Sequence, residues 1–253
     1  MAPPTPPRPR TVLTIAGSDS GGGAGIQADL KTFLDHRVYG MSVVTAITAQ
    51  NTRGVTGVWP VPPEGVRAQL AAVFSDLPVD AVKIGMLGDA ATIEVVASFL
   101  AALPSCPPIV LDPVMIAKGG SPLLRADAVT ALLRRLVPLA ALVTPNLPEA
   151  ETLGDLGDAT VLYKGGHAEG DMVVDRLVGP GVDRVWRHPR VVSRNTHGTG
   201  CTLSSAVAAG IARGLSIPDA CDRAIAYVSG LLVASVESLG SGHGPLLHGL
   251  GDR

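Results

Sequence analysis

Short apolar runs alternate with longer stretches in which apolar residues recur every three or four positions, from residue 11 to about residue 166. TVLTIAG (11–17), MSVVTAITAQ (41–50), DAVKIG (80–85), PIVLD (108–112), ALVTPN (141–146) and TVLYKGG (160–166) predict strands. Several are apolar on both faces, the pattern of parallel strands covered by helices. Between them, IQADLKTFLDHR (26–37), EGVRAQLAAVFSDL (64–77), DAATIEVVASFLAAL (89–103) and RADAVTALLRRL (125–136) predict helices. The repeated unit predicts a three-layer α/β sheet. Beyond residue 170 the pattern changes. MVVDRLVGPGVDRVW (172–186) predicts a hairpin turning at GPG, and two helices, over about 198–213 and 218–237, close the chain. There is no internal repeat or interdomain linker, so residues 11–253 read as one domain. The proline-rich opening MAPPTPPRPR (1–10) reads as a disordered tail.

Composition narrows the function classes. A net charge of −2 gives no electrostatic case for nucleic acid or an anionic membrane surface. The apolar share of 46% and mean hydropathy of +0.34 raise the question of a membrane span. The best candidate, AIAYVSGLLVASV (224–236), falls short of the ~20 residues a spanning helix needs, and reads as a buried helix. The uncharged stretch 95–111 is broken by Pro104, Pro107 and Pro108. The opening lacks the apolar run of a secretory signal. Cys106, Cys201 and Cys221 are far apart and odd in number, which argues against a disulfide framework and for a reducing, cytoplasmic setting.

Every predicted strand ends in polar or flexible residues: GSDSGG, QNT, GMLG, DP, NLPE and KGG. Open α/β sheets bind ligands beyond the carboxyl ends of their strands, so these endings are expected to converge on one crevice. GSDSGGGAG (17–25) follows the first strand and opens a helix, yet no GK[ST] follows, so it is not a Walker A loop. Gly23-x-Gly25-x-x-Ala28 fits a relaxed dinucleotide fingerprint, but the second strand ends in Gln50-Asn51 rather than an acidic residue. The turn is either a flexible connection or a place where glycines let backbone approach a small substrate, with Asp29 one helical turn on. In TPNLPEAE (144–151), Asn146 and Glu149 share one helix face. Alone they read as a capping box; beside Asp112 of VLDP, the carboxylates could hold Mg²⁺. Lys164 of KGGH follows a strand and in a crevice would partner phosphate oxygens. In NTHGTGCTLSSA (195–206), the N–H groups from Gly198 to Cys201 lie at the positive end of a helix, an anion hole. The same field is expected to lower the Cys201 thiol toward thiolate, whereas Cys106 and Cys221 read as inert.

The ordered set GSDSGGGAGIQADLKTF, TAITAQNT, VKIGMLG, VLDPVM, TPNLPEAE, KGGH and NTHGTGCTLSSA resembles the hydroxymethylpyrimidine/phosphomethylpyrimidine kinases of thiamine synthesis, in the ribokinase-like superfamily. The motifs run from residue 11 to about 236, and GSGHGP (240–245) is similar to the family's ending. The resemblance implies an αβα sandwich with a mostly parallel central sheet. It also implies transfer of phosphate from ATP to the hydroxymethyl group of the aminopyrimidine, then a second transfer to the monophosphate. Under it, Gln50 contacts the pyrimidine edge, with Asp29 and the backbone near Gly17 and Ala24 nearby, and Met86 and Val114 form pocket walls. Lys164, Thr196 and Thr199 face ATP phosphates; Gly198 and Gly200 shape the anion hole; Asp112, Asn146 and Glu149 serve Mg²⁺; and Cys201 is the base. A homodimer is also implied. One departure stands out. Only about ten residues separate Glu151 from Val161, where the family carries a further helix, although a parallel crossover of this length remains feasible. The rival readings are a pyridoxal kinase of the same fold, a nicotinamide-dependent oxidoreductase built on the Gly23 fingerprint, and a non-catalytic pyrimidine-binding relative.

Overall fold

The computed structural model describes residues 8–116, 123–124, 126–234 and 239–250. The first half follows the alternation. β1 (Thr11–Ala16) leads to α1 (Gly25–Asp35), then β2 (Tyr39–Val44), β3 (Ala46–Asn51) and β4 (Gly54–Pro60). Next come α2 (Pro63–Asp76), β5 (Ala81–Ile84), α3 (Ala90–Ala101), β6 (Ile109–Leu111) and α4 (Ala126–Arg135). The second half comprises β7 (Leu142–Val143), α5 (Leu147–Leu153), β8 (Val161–Tyr163), β9 (Met172–Gly179), β10 (Val182–Pro189), α6 (Thr199–Ala212) and α7 (Ile217–Ala234).

Eight strands form one sheet in the order β10-β9-β8-β7-β6-β5-β1-β2, parallel from β8 to β2 and antiparallel at β9 and β10. After β1 the chain first builds outward to β2, then returns to place β5 on the other side. The strand order therefore reverses at β1, and a crevice opens there at the carboxyl ends. Successive residues of each strand face opposite layers. Leu13, Ile15, Val82 and Ile84 pack with Leu70, Ile93 and Leu132 of α2, α3 and α4. Val12 and Ala81 pack with Phe33, Val207 and Ala224 of α1, α6 and α7. These two apolar layers make the expected αβα sandwich. Among the described residues no helix is long and apolar enough to cross a membrane.

Three differences from the sequence expectations have local causes. MSVVTAITAQ is two strands rather than one. Thr45 donates its N–H to the Ala16 carbonyl (3.0 Å) and its hydroxyl to the Met86 carbonyl (2.7 Å). That pins the chain at the ends of β1 and β5, and Ala46 then starts a separate two-stranded sheet with β4, which Gly54 and Gly57 hid from the alternation. Of the segment read as a tail, residues 1–7 lie outside the described residues, while Arg8 and Arg10 pair with Asp80 at 2.7 and 3.3 Å. Residues 235–237 of the last predicted helix also lie outside the described residues.

The short link after Glu151 does complete a parallel crossover, through the single seven-residue helix α5, and Val143 pairs with Val161. The hairpin of β9 and β10 turns at Pro180-Gly181, as GPG predicts, with Gly181 at a φ of +75°. It is fastened to β8 at Gly165, whose N–H donates to Asp175 Oδ1 at 2.8 Å. A Cβ on Gly165 would stand 2.1 Å from the Val174 carbonyl oxygen, backbone that cannot swing away. Gly165→Ala is therefore expected to lower stability by about 1–3 kcal/mol, the usual cost of overpacking, seen as a reduced Tm.

Candidate active site

The loops that leave β1, β3, β5, β6, β7 and β8 meet in an unbroken series of contacts at one end of the sheet. A Cβ on Gly17 would lie 3.0 Å from Met86 Sδ, so the turns after β1 and β5 touch. Ser20 Oγ donates to the Gln50 carbonyl at 2.8 Å, joining the glycine-rich turn to β3. Asn146 and Lys164 form a parallel bridge, and Lys164 Nζ donates to Asp112 Oδ1 at 2.7 Å. The start of α6 closes the series. Gly200 sits where an added Cβ would be 3.4 Å from Lys164 Nζ and 3.8 Å from Asp112 Oδ2.

The glycine-rich turn is organised by Asp19, which the sequence reading passed over. Its buried carboxylate accepts the N–H groups of Gly21 (2.8 Å), Gly23 (3.1 Å) and Ala24 (2.8 Å), and lies 2.8 Å from His197 Nε2. Burial alone would raise the Asp19 pKa, but His197 and the N–H donors of Gly21 and Ala24 hold it below the usual carboxylate range. The turn's amides are thus spent on its own aspartate. They do not form a phosphate cradle, and Ala24, expected near the substrate through its backbone, has its N–H already committed. His197 also lies 3.4 Å from Gln50 Nε2, and the Gln50 side chain is 3.1 Å from Thr48 Oγ1. Gly23 and Gly198 complete this contact. A Cβ on Gly198, at a φ of +80°, would be 1.8 Å from the Gly23 carbonyl oxygen, so only glycine fits.

α6 begins at Thr199 with Gly198 as its N-cap, and no side chain caps it. The N–H groups of Thr199, Gly200 and Cys201 thus form an uncapped first turn, at the positive end of a 14-residue helix. Thr199 Oγ1 donates to the Thr196 carbonyl at 3.3 Å and braces the turn. An anion hole is expected at this turn, and its donors have no side-chain cap. The thiol differs from expectation. Burial pushes Cys201 up to about 11, with Lys83 pulling it down, Asp29 and Asp112 pushing it up, and the Gly25 N–H donating to the sulfur. Desolvation outweighs the helix field here.

Asp29, expected beside the substrate, is fully enclosed. Its carboxylate accepts Lys83 Nζ at 2.9 Å on both oxygens, Thr14 Oγ1 at 2.6 Å and Ser205 Oγ at 2.7 Å. Four hydrogen bonds from three donor groups saturate it, so it holds the framework and offers nothing to a ligand. Lys83 is the second residue the sequence reading missed. The signal was a lone lysine within the apolar strand DAVKIG, at a position whose neighbours all face the core.

The expected cation ligands are also engaged. Asn146 Oδ1 accepts the Glu149 N–H at 2.9 Å and Glu149 Oε2 accepts the Asn146 N–H at 2.8 Å, so the pair is the capping box of α5. The Asn146 oxygen serves the helix rather than a metal. Both oxygens of Asp112 are taken, by Lys164 and Thr144 on one side and Ser204 Oγ at 3.2 Å on the other. Burial opposes its ionisation, yet Lys164, Lys83 and Ser204 keep its pKa low. Burial would lower Lys164, but Asp112 and Glu149 raise it, so it stays cationic. Burial, reinforced by nearby Asp112, raises the Glu149 carboxyl despite the opposing pull of Lys164. Among the described residues no group of three acidic, histidine or cysteine side chains forms a metal cage.

A cleft of about 1000 Å³ opens beyond Met86, between the β3–β4 hairpin and the starts of α3 and α4, lined by residues such as Thr45, Ala46, Val58, Gly88 and Met115. Of the expected site residues only Met86 lines it. Val114, expected as a second wall, instead follows Asp112 in a tight turn, its N–H donating to the Asp112 carbonyl at 2.8 Å. The Asp19–His197 link makes one further expectation quantitative in sign. Because its folded pKa is depressed, ionised Asp19 contributes stability at neutral pH that is lost as pH falls through that value. The Tm gap between the unaltered chain and Asp19→Asn should therefore narrow as pH falls below about 4; a gap independent of pH would contradict it.

The sequence model described as phosphomethylpyrimidine kinase matches residues 19–247. A hydroxymethylpyrimidine/phosphomethylpyrimidine kinase from Streptomyces coelicolor is 48% identical over 269 residues, covering 98% of each chain. A thiamine biosynthesis bifunctional protein from Geobacter sulfurreducens is 49% identical, covering 96% of this chain and 53% of that longer protein. Among solved structures, a pyridoxal kinase from Staphylococcus aureus in complex with ADP superposes with a TM-score of 0.86 at 32% identity, covering 96% of this chain and 94% of the other. The chain therefore belongs to the phosphomethylpyrimidine kinase family, as a kinase of ribokinase-like fold.

Proposed function

We propose that the chain transfers the γ-phosphoryl group of ATP to the hydroxymethyl group of 4-amino-5-hydroxymethyl-2-methylpyrimidine, then transfers a second to the resulting monophosphate, in thiamine biosynthesis. The observation that carries this reading is the uncapped first turn of α6, with Cys201 in it and the Lys164–Asp112 pair beside it. Its relatives act on these pyrimidines by name, and the ADP complex of the Staphylococcus aureus kinase supports a nucleotide donor. Residues 11–253 act as one kinase domain, and the cytoplasmic setting and homodimer implied by the resemblance belong to the same reading.

The geometry supports the following roles. The N–H groups of Thr199, Gly200 and Cys201 hold the transferred phosphoryl group, whose charge grows on its outer oxygens. Lys164 adds its remaining N–H donors from beside Gly200, and Thr196 shapes the turn. Gln50, held at its side chain by Thr48 and His197, orients the aminopyrimidine, with Gly17 and Met86 as the walls. In the first transfer the hydroxyl oxygen bonds to the γ-phosphorus, the bond to the bridging oxygen breaks, ADP leaves, and the hydroxyl proton passes to the Cys201 sulfur.

Mg²⁺ belongs to this reading through Glu149. Its carboxyl is raised by burial beside Asp112, so a divalent cation would relieve the charge gathered there. Mg²⁺ uses one or two carboxylates together with substrate phosphates rather than an all-protein cage, which suits this donor set. When bound, it would neutralise nucleotide phosphate charge.

A pyridoxal kinase is the second reading, favoured by the superposition on the Staphylococcus aureus enzyme. Product analysis with each alcohol, ATP and Mg²⁺ separates them. The pyrimidine should yield a monophosphate and then a pyrophosphate; strong preference for pyridoxal, or binding without transfer, would overturn the proposal. The pH profile adds a second expectation. Only the thiolate form of Cys201 accepts a proton, and its folded pKa is raised to about 11. Below that value the first-transfer kcat/KM should climb with pH, by about tenfold per unit.

A further inference from the structure

Lys83 is a core residue by position and a charge by chemistry. It is paired across the sheet with Thr14, and both side chains meet Asp29 of α1, with no exposed surface on Asp29 or Lys83. The same carboxylate takes the hydroxyl of Ser205, one helical turn beyond Cys201 on α6. A Cβ on Gly85 would lie 2.8 Å from Lys83 Nζ, which places the ammonium at the carboxyl end of β5, and the shared Asp29 ties it to Ser205 in the second turn of α6. The next residue up, Ser204, is held in the same way by Asp112 and its lysine. Two lysine–carboxylate pairs, one fully buried and one part-buried, thus grip consecutive serines one turn below the sulfur. The ionisable groups acting on Cys201 come from every neighbouring element: Lys83 from β5, Asp29 from α1, Asp112 after β6 and Lys164 after β8. The Gly25 N–H, turned by its φ of +54°, donates to the sulfur.

The two proposed transfers make different demands on that sulfur. In the first, the nucleophile is a hydroxyl, and its O–H bond must break as the oxygen bonds to phosphorus. In the second, the nucleophile is an oxygen of a phosphate monoester, already ionised above a pKa near 6. That oxygen bonds to the γ-phosphorus, ADP leaves, and no proton has to move. We propose that Lys83, locked by Asp29, is a positioning residue that favours the proton-accepting Cys201 sulfur, and that this assembly serves the hydroxyl transfer and is dispensable for the monophosphate transfer. The proposal rests on the pyrimidine-kinase reading above.

The test measures the two transfers separately, with the alcohol and with the monophosphate as starting substrate, in the full chain with ATP and Mg²⁺. Cys201→Ala, Lys83→Met and the neutral pair Asp29→Asn with Lys83→Met should each slow the first transfer, by about 10²-fold or more for a lost base. In the Lys83 variants the second transfer should stay within about threefold, since no proton moves in it. The alkylation rate of Cys201 by iodoacetamide, mapped by peptide mass, should require higher pH in both Lys83 variants. Equal loss of both transfers in chains that remain folded, or an unchanged ratio, overturns the proposal. Should the Lys83 variants fail to fold, Ser205→Ala decides, because it deletes one hydroxyl and keeps both charges. It should lower the first transfer and spare the second, and an unchanged first transfer overturns the idea. If the unaltered chain phosphorylates neither substrate, the pyrimidine-kinase reading fails instead, and the alkylation profile still reports on Lys83.

Discussion

The carboxyl end of the sheet hangs on the ion pair between Asp29 and Lys83, two full charges with no exposed surface in the middle of an apolar layer. Burying an ion costs several kcal/mol even after relaxation, and attraction repays it only where the remaining lone pairs are satisfied. Here they are, by Thr14 from β1 and Ser205 from α6. Each partner stands on a different element, so one arrangement of β1, β5, α1 and α6 fills every site. A slip of one residue in β5 would turn Lys83 into the opposite layer, among Leu70, Ile93 and Leu132, where no carboxylate waits. The pair therefore specifies register at the point where the strand order reverses, and α6 inherits its position from it.

From that anchor the glycines follow as a packing requirement. Gly198 must accept the Gly23 carbonyl at a distance no side chain allows, and Gly25 must do the same for Gly17. The motif that invites a phosphate loop is thus a contact surface for the mouth of α6. Asp19 consumes its amides and ties it to His197, which the Gly244 carbonyl and Pro245 hold from the far end of the chain. The Gln50 side and the α6 side of the site are joined through His197 and Asp19, so a displacement in one loop is passed to the other.

The sheet was legible because strands buried on both faces are apolar throughout, and the hairpin because alternation and a GPG turn coincide. The break at Thr45 was not legible, since the residues on either side share one apolar pattern and only the ends of β1 and β5 reveal the pin. Lys164, Asp112 and the α6 mouth could be found from strand endings. Lys83 could not be found that way, because it lies inside a strand, and its partner Asp29 was given to the substrate on resemblance. Chain length also mattered. Only residues 154–160 link α5 to β8, and on the outer face of β9 and β10 Met172, Val174 and Val185 are exposed.

On the proposed reading, a thiol raised to about 11 is almost wholly protonated at neutral pH, so only its small thiolate fraction can take a proton. A reaction needing an alkoxide in the ground state would be poorly served. Phosphoryl transfer asks for less. In a loose transition state the bond to the incoming oxygen is barely formed, so the hydroxyl stays weakly acidic until late. Its proton becomes labile only as that oxygen turns into part of a phosphate ester. What the site must supply early is alignment and compensation of charge on the moving group, the part the proposal gives to the α6 turn. On the proposed reading the sulfur, as thiolate, takes the proton only late, and the buried lysine that favours that form is fixed in advance by an enclosed carboxylate.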